Sequence, residues 1–177
     1  MLEPDRLMEI VRQLRRAAIV PPGSGVGVML GADALHRLLP HRPPMLLVDA
    51  IDAVDLDRGA VRGWRELRAS DLGFAGHFDD GAVYPGVLTI EAMGQLSLTL
   101  LHFLGGRTTA VPRETVPPRV RATHIHHATF LAPLVPGDRV TLHAQVMESD
   151  FTMIAAGQAY KGDTLAAFAV SEVYVDE

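Results

Sequence analysis

The chain has 177 residues, and a single domain of this length buries about 70% of the surface that its unfolded form exposes. Hydrophobic residues make up 48% and charged residues 21%, which is typical of a globular protein and not of a disordered one. Cysteine is absent, so disulfides, thiolate metal sites and cysteine nucleophiles are excluded. The net charge of -5 and the lack of a basic cluster argue against a nucleic-acid partner.

The first part of the chain predicts an arm. Residues 4–18 have the apolar spacing of a short amphipathic helix, with Pro4 suited to the first helical position. Charges spread through this stretch leave no apolar run of the kind that a signal peptide needs. A run of Pro, Gly and Ser at 21–25 then predicts a linker. We therefore divide the chain into an N-terminal helical arm and linker, 1–30, and one domain, 31–177. We expect the arm to dock on this domain or to contact another subunit.

The rest of the chain predicts one long helix among antiparallel strands. A short helix is expected at 32–39, and a hairpin is expected from strands at 45–54 and 59–67. A loop at 105–118 precedes four more predicted strands, at 120–132, 138–149, 151–161 and 164–175. Turn signals at 136–138 and 161–163 favour antiparallel connections over βαβ crossovers. The sequence thus predicts an α+β fold.

The window 83–104 is apolar and about as long as a membrane span. It nevertheless contains the polar side chains of Glu91, Gln95, Ser97, Thr99 and His102. In an isolated membrane span, placing the glutamate in the lipid would cost much free energy. We therefore interpret the window as the buried central helix of a soluble, cytoplasmic protein that binds no membrane, bounded by Pro85 and by the glycines at 105–106.

Glu91 is the one formally charged residue of this helix. At about 100° per residue, Glu91, Gln95, Thr99 and His102 fall on one narrow polar stripe. We expect the carboxyl group to be buried, which is costly without a partner, and Gln95 to hydrogen-bond and orient it. A purely structural buried carboxylate remains the alternative.

His77 precedes the helix in a turn flanked by glycine. A single histidine is more often structural than catalytic, but an imidazole and a carboxyl group near one helix N-terminus form an acid–base pair. The free N–H groups of Gly86 and Val87, at the start of the helix, would face an oxyanion on a substrate.

Three ordered motifs resemble the 3-hydroxyacyl-acyl-carrier-protein dehydratases of fatty-acid synthesis. They are LPHRPPMLLVD at 39–49, GHFDDGAVYPGVLTIEAMGQ at 76–95 and ATFLAPLVPGD at 128–138. The resemblance covers about residues 32–176. It implies a hot-dog fold, in which a curved antiparallel sheet wraps around one long helix, and this agrees with the element order predicted above.

The resemblance also implies roles for single residues. The family's catalytic His and Glu fall on His77 and Glu91, and its amide for the thioester carbonyl falls on Gly86. The carbonyl that holds the His ring falls on Val83, and the Gln that orients the acid falls on Gln95. In the family the His and the Glu come from different subunits, so an obligate homodimer with shared active sites is implied, and a trimer of dimers is a further possibility. No metal and no organic cofactor is implied.

The activity implied is removal of water from a (3R)-3-hydroxyacyl thioester carried by acyl carrier protein, in fatty-acid or related polyketide-type biosynthesis. The acidic helix of the carrier would meet basic residues near the mouth of the acyl tunnel. Four arginines are candidates for this contact, namely Arg107, Arg113, Arg119 and Arg121.

The chain departs from the family pattern at three positions. Asp79 stands where the family usually has Pro, and Ala82 and Tyr84 stand where it usually has Pro and Met. These departures concern the substrate tunnel and the partner surface. A related branch that also isomerises the double bond has Asp in place of Glu91, which favours dehydration alone. Two other activities on the same fold remain open: binding of an acyl thioester without turnover, and hydrolysis of a thioester.

Two metal sites are weaker alternatives. His77 and Asp79 match half of an iron(II) facial triad, but that triad belongs to a jelly-roll scaffold, which the long helix does not fit. His124 and His126 lie on one face of a predicted strand and could form a zinc patch. We expect them instead to belong to a polar strand at the sheet edge or at the rim of the site.

Overall fold

The computed structural model describes residues 2–78 and 81–176. Seven strands form one antiparallel sheet in the order β1-β2-β3-β5-β6-β7-β4, as the α+β hot-dog prediction requires. The elements in chain order are α1 Pro4–Arg16, β1 Val26–Leu30, α2 Ala32–Leu38, β2 Ala50–Asp55, β3 Ala60–Glu66, α3 Gly86–Gly105, β4 Arg119–Phe130, β5 Arg139–Ser149, β6 Thr152–Lys161 and β7 Thr164–Asp176.

The long helix α3 packs on the inner face of the sheet, against β3, β5, β6 and β7. Leu96, Leu100 and Phe103 are completely buried there. A glycine lets the helix come close: a Cβ atom on Gly157 of β6 would lie 2.7 Å from the Cβ of Met93. By length and hydropathy α3 could cross a membrane, but its burial under the sheet is that of a core helix.

The N-terminal arm lies on the opposite, outer face of the sheet. Helix α1 buries Ile10, Val11 and Leu14 in a second apolar cluster with Phe168 and other outward-facing strand residues. The amphipathic helix predicted for 4–18 is therefore confirmed over Pro4–Arg16.

Two buried polar side chains of the sheet hold the chain that follows α1. Gln158, which is fully buried, accepts a hydrogen bond from Ile19 N (2.8 Å) and donates to the carbonyls of Leu14 (2.6 Å) and Ala17 (2.9 Å). His143 Nδ1 accepts from Val20 N at 3.2 Å. The arm thus docks on the sheet of its own chain. The division of the chain at residue 30 stays a prediction.

Two local predictions were wrong. Residues 26–30 are not linker but the edge strand β1, which pairs antiparallel with β2. The strand expected at 45–54 begins only at Ala50, because side chains take the preceding backbone groups: Gln95 bonds Met45 O and Leu47 N, and Arg65 bonds Leu46 O. The other predicted helices and strands are present within a few residues of their expected bounds.

Candidate active site

His77 lies in a series of turns between β3 and α3, and its ring is held by the backbone. Its Nδ1 is 2.8 Å from the carbonyl oxygen of Val83. Since a carbonyl can only accept, Nδ1 carries the hydrogen and Nε2 is left with a free lone pair. The ring is half-buried and lies 4.2 Å from the ring of Phe78, centroid to centroid. The imidazole is therefore oriented as a base with Nε2 as the proton acceptor.

Next to His77, the start of α3 opens into a pocket of about 530 Å³. The N–H groups of Gly86 and Val87 belong to the first turn, so they have no acceptor within the helix. The ring of Phe130 covers this turn so closely that a Cβ atom on Gly86 would lie 2.6 Å from it. The remaining wall is largely apolar and comes from Leu131, Leu134 and other residues of that segment and of β7. The pocket thus combines two free amide donors with a largely apolar wall.

Glu91 lies one turn into α3, and its carboxylate is held by Gln95, as predicted. Gln95 Nε2 donates to Glu91 Oε1 at 2.8 Å and also to Met45 O at 2.8 Å, while Gln95 Oε1 accepts from Leu47 N at 2.8 Å. Gln95 is 1% exposed, so its amide is fixed on both sides. His41 Nε2 approaches the same carboxylate oxygen at 3.4 Å.

The expectation that Glu91 is buried was wrong for the single chain, where its side chain is 40% exposed. The residue faces away from the sheet, on the side of α3 that includes the exposed Val87. The polar stripe predicted along the helix does not act as one group. Thr99 donates to Leu96 O within the helix, and the Nε2 of His102 pairs with Ala110 O, so neither joins Glu91.

The two members of the predicted acid–base pair do not line one pocket within the chain. The pocket beside His77 includes Val83, Gly86 and Val87. Among the described residues, Glu91 and Gln95 are not part of its lining. A single chain thus presents the base with the helix amides in one place and the acid in another.

The histidines of β4 form a different cluster. His126 Nε2 lies 2.7 Å from Glu172 Oε2, His124 Nδ1 lies 3.6 Å from the same oxygen, and the two rings stack. Within residues 2–78 and 81–176, no three His, Asp or Glu side chains are placed to hold a metal ion. Asp79, the second member of the facial-triad alternative and one of the departures from the family pattern, lies outside the described residues.

His41 is the site residue that sequence analysis missed. It belongs to the motif at 39–49, but the sequence offered no chemical role for it. In the structure His41 is a neighbour of the proposed acid, because its turn places the imidazole beside Glu91. Arg42 fixes this turn by donating to the carbonyls of Leu39, His41 and His36.

Known proteins resemble this chain over most of its length. The sequence model of the FabA-like domain matches residues 39–170. The chain is 37% identical over 122 residues to a 3-hydroxyacyl-[acyl-carrier-protein] dehydratase FabZ from Anaeromyxobacter sp. (strain Fw109-5), covering 68% of this chain and 73% of that protein. It is 32% identical over 140 residues to the protein of the same name from Aliarcobacter butzleri (strain RM4018), covering 78% and 92%.

Solved structures show the same fold at low identity. The dehydratase heterocomplex ApeI:P from Xenorhabdus doucetiae matches with a TM-score of 0.62 at 16% identity, covering 81% of this chain and 91% of that one. An uncharacterized protein, PH1136, from Pyrococcus horikoshii matches with a TM-score of 0.58 at 14% identity, covering 86% and 95%. At these identities the likeness concerns the fold alone.

Proposed function

We propose that this chain, which belongs to the FabA-like family, removes water from (3R)-3-hydroxyacyl thioesters to give trans-2-enoyl thioesters. The observation that carries the proposal is the held imidazole: His77 is fixed as the Nδ1–H tautomer beside the free amides of an apolar pocket. Two relatives named 3-hydroxyacyl-[acyl-carrier-protein] dehydratase cover most of the chain, and they support the same reaction.

In the proposed reaction His77 Nε2 takes the α-proton of the substrate. The electron pair of the broken C–H bond forms the α,β double bond, and the C–O bond at the β carbon breaks. The thioester oxygen gains negative charge as the proton leaves, and the N–H of Gly86, aided by that of Val87, stabilises it. The first turn of α3 is suited to this because its amides face no acceptor inside the helix.

Glu91 supplies a proton to the departing hydroxyl group, which leaves as water. Gln95 holds one carboxyl oxygen, so the other oxygen is available for this transfer. After the reaction His77 carries the α-proton and Glu91 has lost one, and exchange with solvent restores both groups. A positioned acid or base of this kind is worth roughly 100- to 10,000-fold in rate.

We further propose that the two groups meet across a homodimer. The sheet ends at β4, a 12-residue strand, and such a long edge pairs readily with another strand. The exposed Ile125 and Phe130 of this strand are 60% and 53% accessible, and both would be covered by a partner. A shared site agrees with the separate placement of His77 and Glu91 in one chain. Whether dimers assemble further, as a trimer of dimers, is a separate expectation.

Acyl carrier protein is the proposed carrier of the substrate, and the cytoplasm is the proposed location. Arg119 and Arg121 lie at the start of β4, about 30 Å along the strand from Phe130 at the pocket. Antiparallel pairing of two β4 strands would bring these arginines beside the partner's pocket. Arg107 and Arg113 are exposed in and beside the loop after α3 and remain candidates for the same contact.

The proposal is tested by adding 3-hydroxyacyl thioesters and following enone absorbance, with free thiol measured in parallel. We expect enone without thiol. His77→Ala should lower the rate at least about 100-fold, and Glu91→Gln should do the same while keeping a side chain that Gln95 can bond. Thiol release would instead indicate a thioesterase. Tight binding of the thioester with neither product would indicate a protein that binds without turnover.

A further inference from the structure

An arginine occupies a core position at the end of β3. Strand β3 directs Val61, Gly63 and Arg65 to the inner face of the sheet, and Arg65 is 8% exposed. A buried guanidinium is costly unless its donors are paired. Its Nη1 donates to Leu46 O at 3.0 Å and lies 3.4 Å from Asp49 Oδ1, and its Nη2 lies 3.0 Å from Asp71 Oδ2.

One of these contacts leads to the proposed acid. Leu46 lies between Met45 and Leu47, whose backbone groups hold the amide of Gln95 on both sides. Gln95 in turn donates to Glu91. The segment has no strand partner at this point, so Arg65 is the group that fixes its middle residue to the sheet.

Another contact leads to the proposed base. Asp71 opens the series of turns that ends at His77: Phe74 N donates to Asp71 O and His77 N donates to Phe74 O, each at 3.4 Å. These backbone bonds are long, so the turns depend on their anchor at Asp71. The ring of Phe74 also lies 5.3 Å from that of Tyr84, centroid to centroid, and Tyr84 follows the residue whose carbonyl holds His77.

We infer that Arg65 is a positioning residue, which holds the supports of the base and of the acid through Asp71 and Leu46. This inference rests on the proposed function and assigns Arg65 no contact with substrate. In the proposed dimer each Arg65 supports the base of one shared site and the acid of the other. A lysine could not replace it, because one ammonium group lacks the planar set of donors that reaches all these oxygens.

Three variants test the inference. Arg65→Lys keeps the charge and Arg65→Met removes it. Asp71→Asn weakens the ion pair of Arg65 on the side of His77 and leaves the bond to Leu46 O in place. The side chain of residue 71 also accepts from Arg68 N at 2.8 Å, which the amide oxygen of Asn can still do. The matched control is Arg62→Lys on the same strand. Arg62 forms an ion pair with Asp52, 2.7 Å between Nε and Oδ1, and this pair lines a different pocket. We expect Arg65→Lys and Asp71→Asn to lower kcat at least about tenfold and to change KM less than about threefold, since misplaced groups slow the chemical step. Arg62→Lys should keep the wild-type kcat.

A readout that does not depend on turnover separates this inference from the proposed function. In ¹⁵N NMR of the histidine rings, with His77 assigned from His77→Ala, the wild type should show one fixed Nδ1–H tautomer. Asp71→Asn and Arg65→Lys should show mixed tautomers at His77. If Arg65→Met does not fold, these two variants still decide the question. A fixed tautomer together with a kcat within twofold of wild type in both would overturn the inference, even if the wild type is an active dehydratase. If the two variants show mixed tautomers but the wild type itself does not dehydrate the substrate, only the proposed function is overturned.

Discussion

The docking of the N-terminal arm should weaken in acid, because it uses a buried neutral histidine. His143 is 5% exposed and accepts the N–H of Val20 through Nδ1, which requires that this nitrogen carry no proton. Burial, and after it the charge of Arg62, lowers the pKa of His143 to about 4, with a partial offset from Asp52. Tyr160 packs against the imidazole, with ring centroids 5.2 Å apart, and Asp163 lines the same small pocket.

The sign and size of the effect follow from linkage. In the unfolded chain an imidazole has a pKa of about 6.5, so between that pH and about 4 the unfolded chain binds a proton that the folded chain does not. The free energy of unfolding therefore falls as the pH falls through this window. The two pKa values give a loss of about 2 kcal/mol between pH 7 and pH 5, and of roughly 3 kcal/mol by pH 4.

The assay is urea unfolding of the wild type and of His143→Asn at pH 7, 6 and 5, at one protein concentration because the proposed dimer would dissociate on unfolding. Asparagine keeps an acceptor near Nδ1 but does not titrate, so this variant should lose the part of the pH slope that His143 supplies. The control variant His102→Gln keeps a donor for Ala110 O and should show the same pH slope as the wild type. Equal slopes for wild type and His143→Asn would refute the reasoning.

Three further variants have defined outcomes. Gln158→Leu should lower the free energy of unfolding by about 2–4 kcal/mol in urea, because three backbone groups lose their partner and two of these bonds are buried; a change below about 0.5 kcal/mol would contradict this. Gly157→Ala should lower the free energy of unfolding by about 1–3 kcal/mol, since its Cβ would lie 2.7 Å from the Cβ of Met93. Gly27→Ala should leave the free energy of unfolding nearly unchanged, because a Cβ atom there has open space. Gly86→Ala should lower kcat/KM about tenfold by displacing Phe130, and Phe130→Leu in the same chain should restore part of it; no restoration would show that the ring is not the cause.

The sequence predicts the order of the elements well because local signals mark them. Turn residues separate the last strands, and the apolar window with its glycine end marks α3. The strand β1 escapes prediction because it is only five residues long and follows a run of Pro and Gly. The expected start of β2 at residue 45 is wrong for another reason: Gln95, 48 residues away from Leu47, supplies the hydrogen bonds that a strand partner would give.

The candidate site is predictable where one stretch of chain contains it. His77 with Val83, and Glu91 with Gln95, lie four to six residues apart, and the structure places both pairs in hydrogen-bond distance. Arg65 could not be predicted, because its acceptors come from segments before β2 and after β3 that only the folded sheet brings together. The exposure of Glu91 was missed because the sequence of a helix that is apolar on most sides does not tell which side faces away from the sheet.

The central claim is that His77 of one subunit and Glu91 of its partner form one dehydratase site. The most direct measurement is the specific activity of mixed dimers of His77→Ala and Glu91→Gln subunits, coexpressed with different tags and purified as heterodimers. Each heterodimer would contain one intact and one doubly damaged site, so it should recover about half of the wild-type activity, against a loss of at least about 100-fold in either homodimer. Folded heterodimers that remain as inactive as the single variants would contradict the shared site.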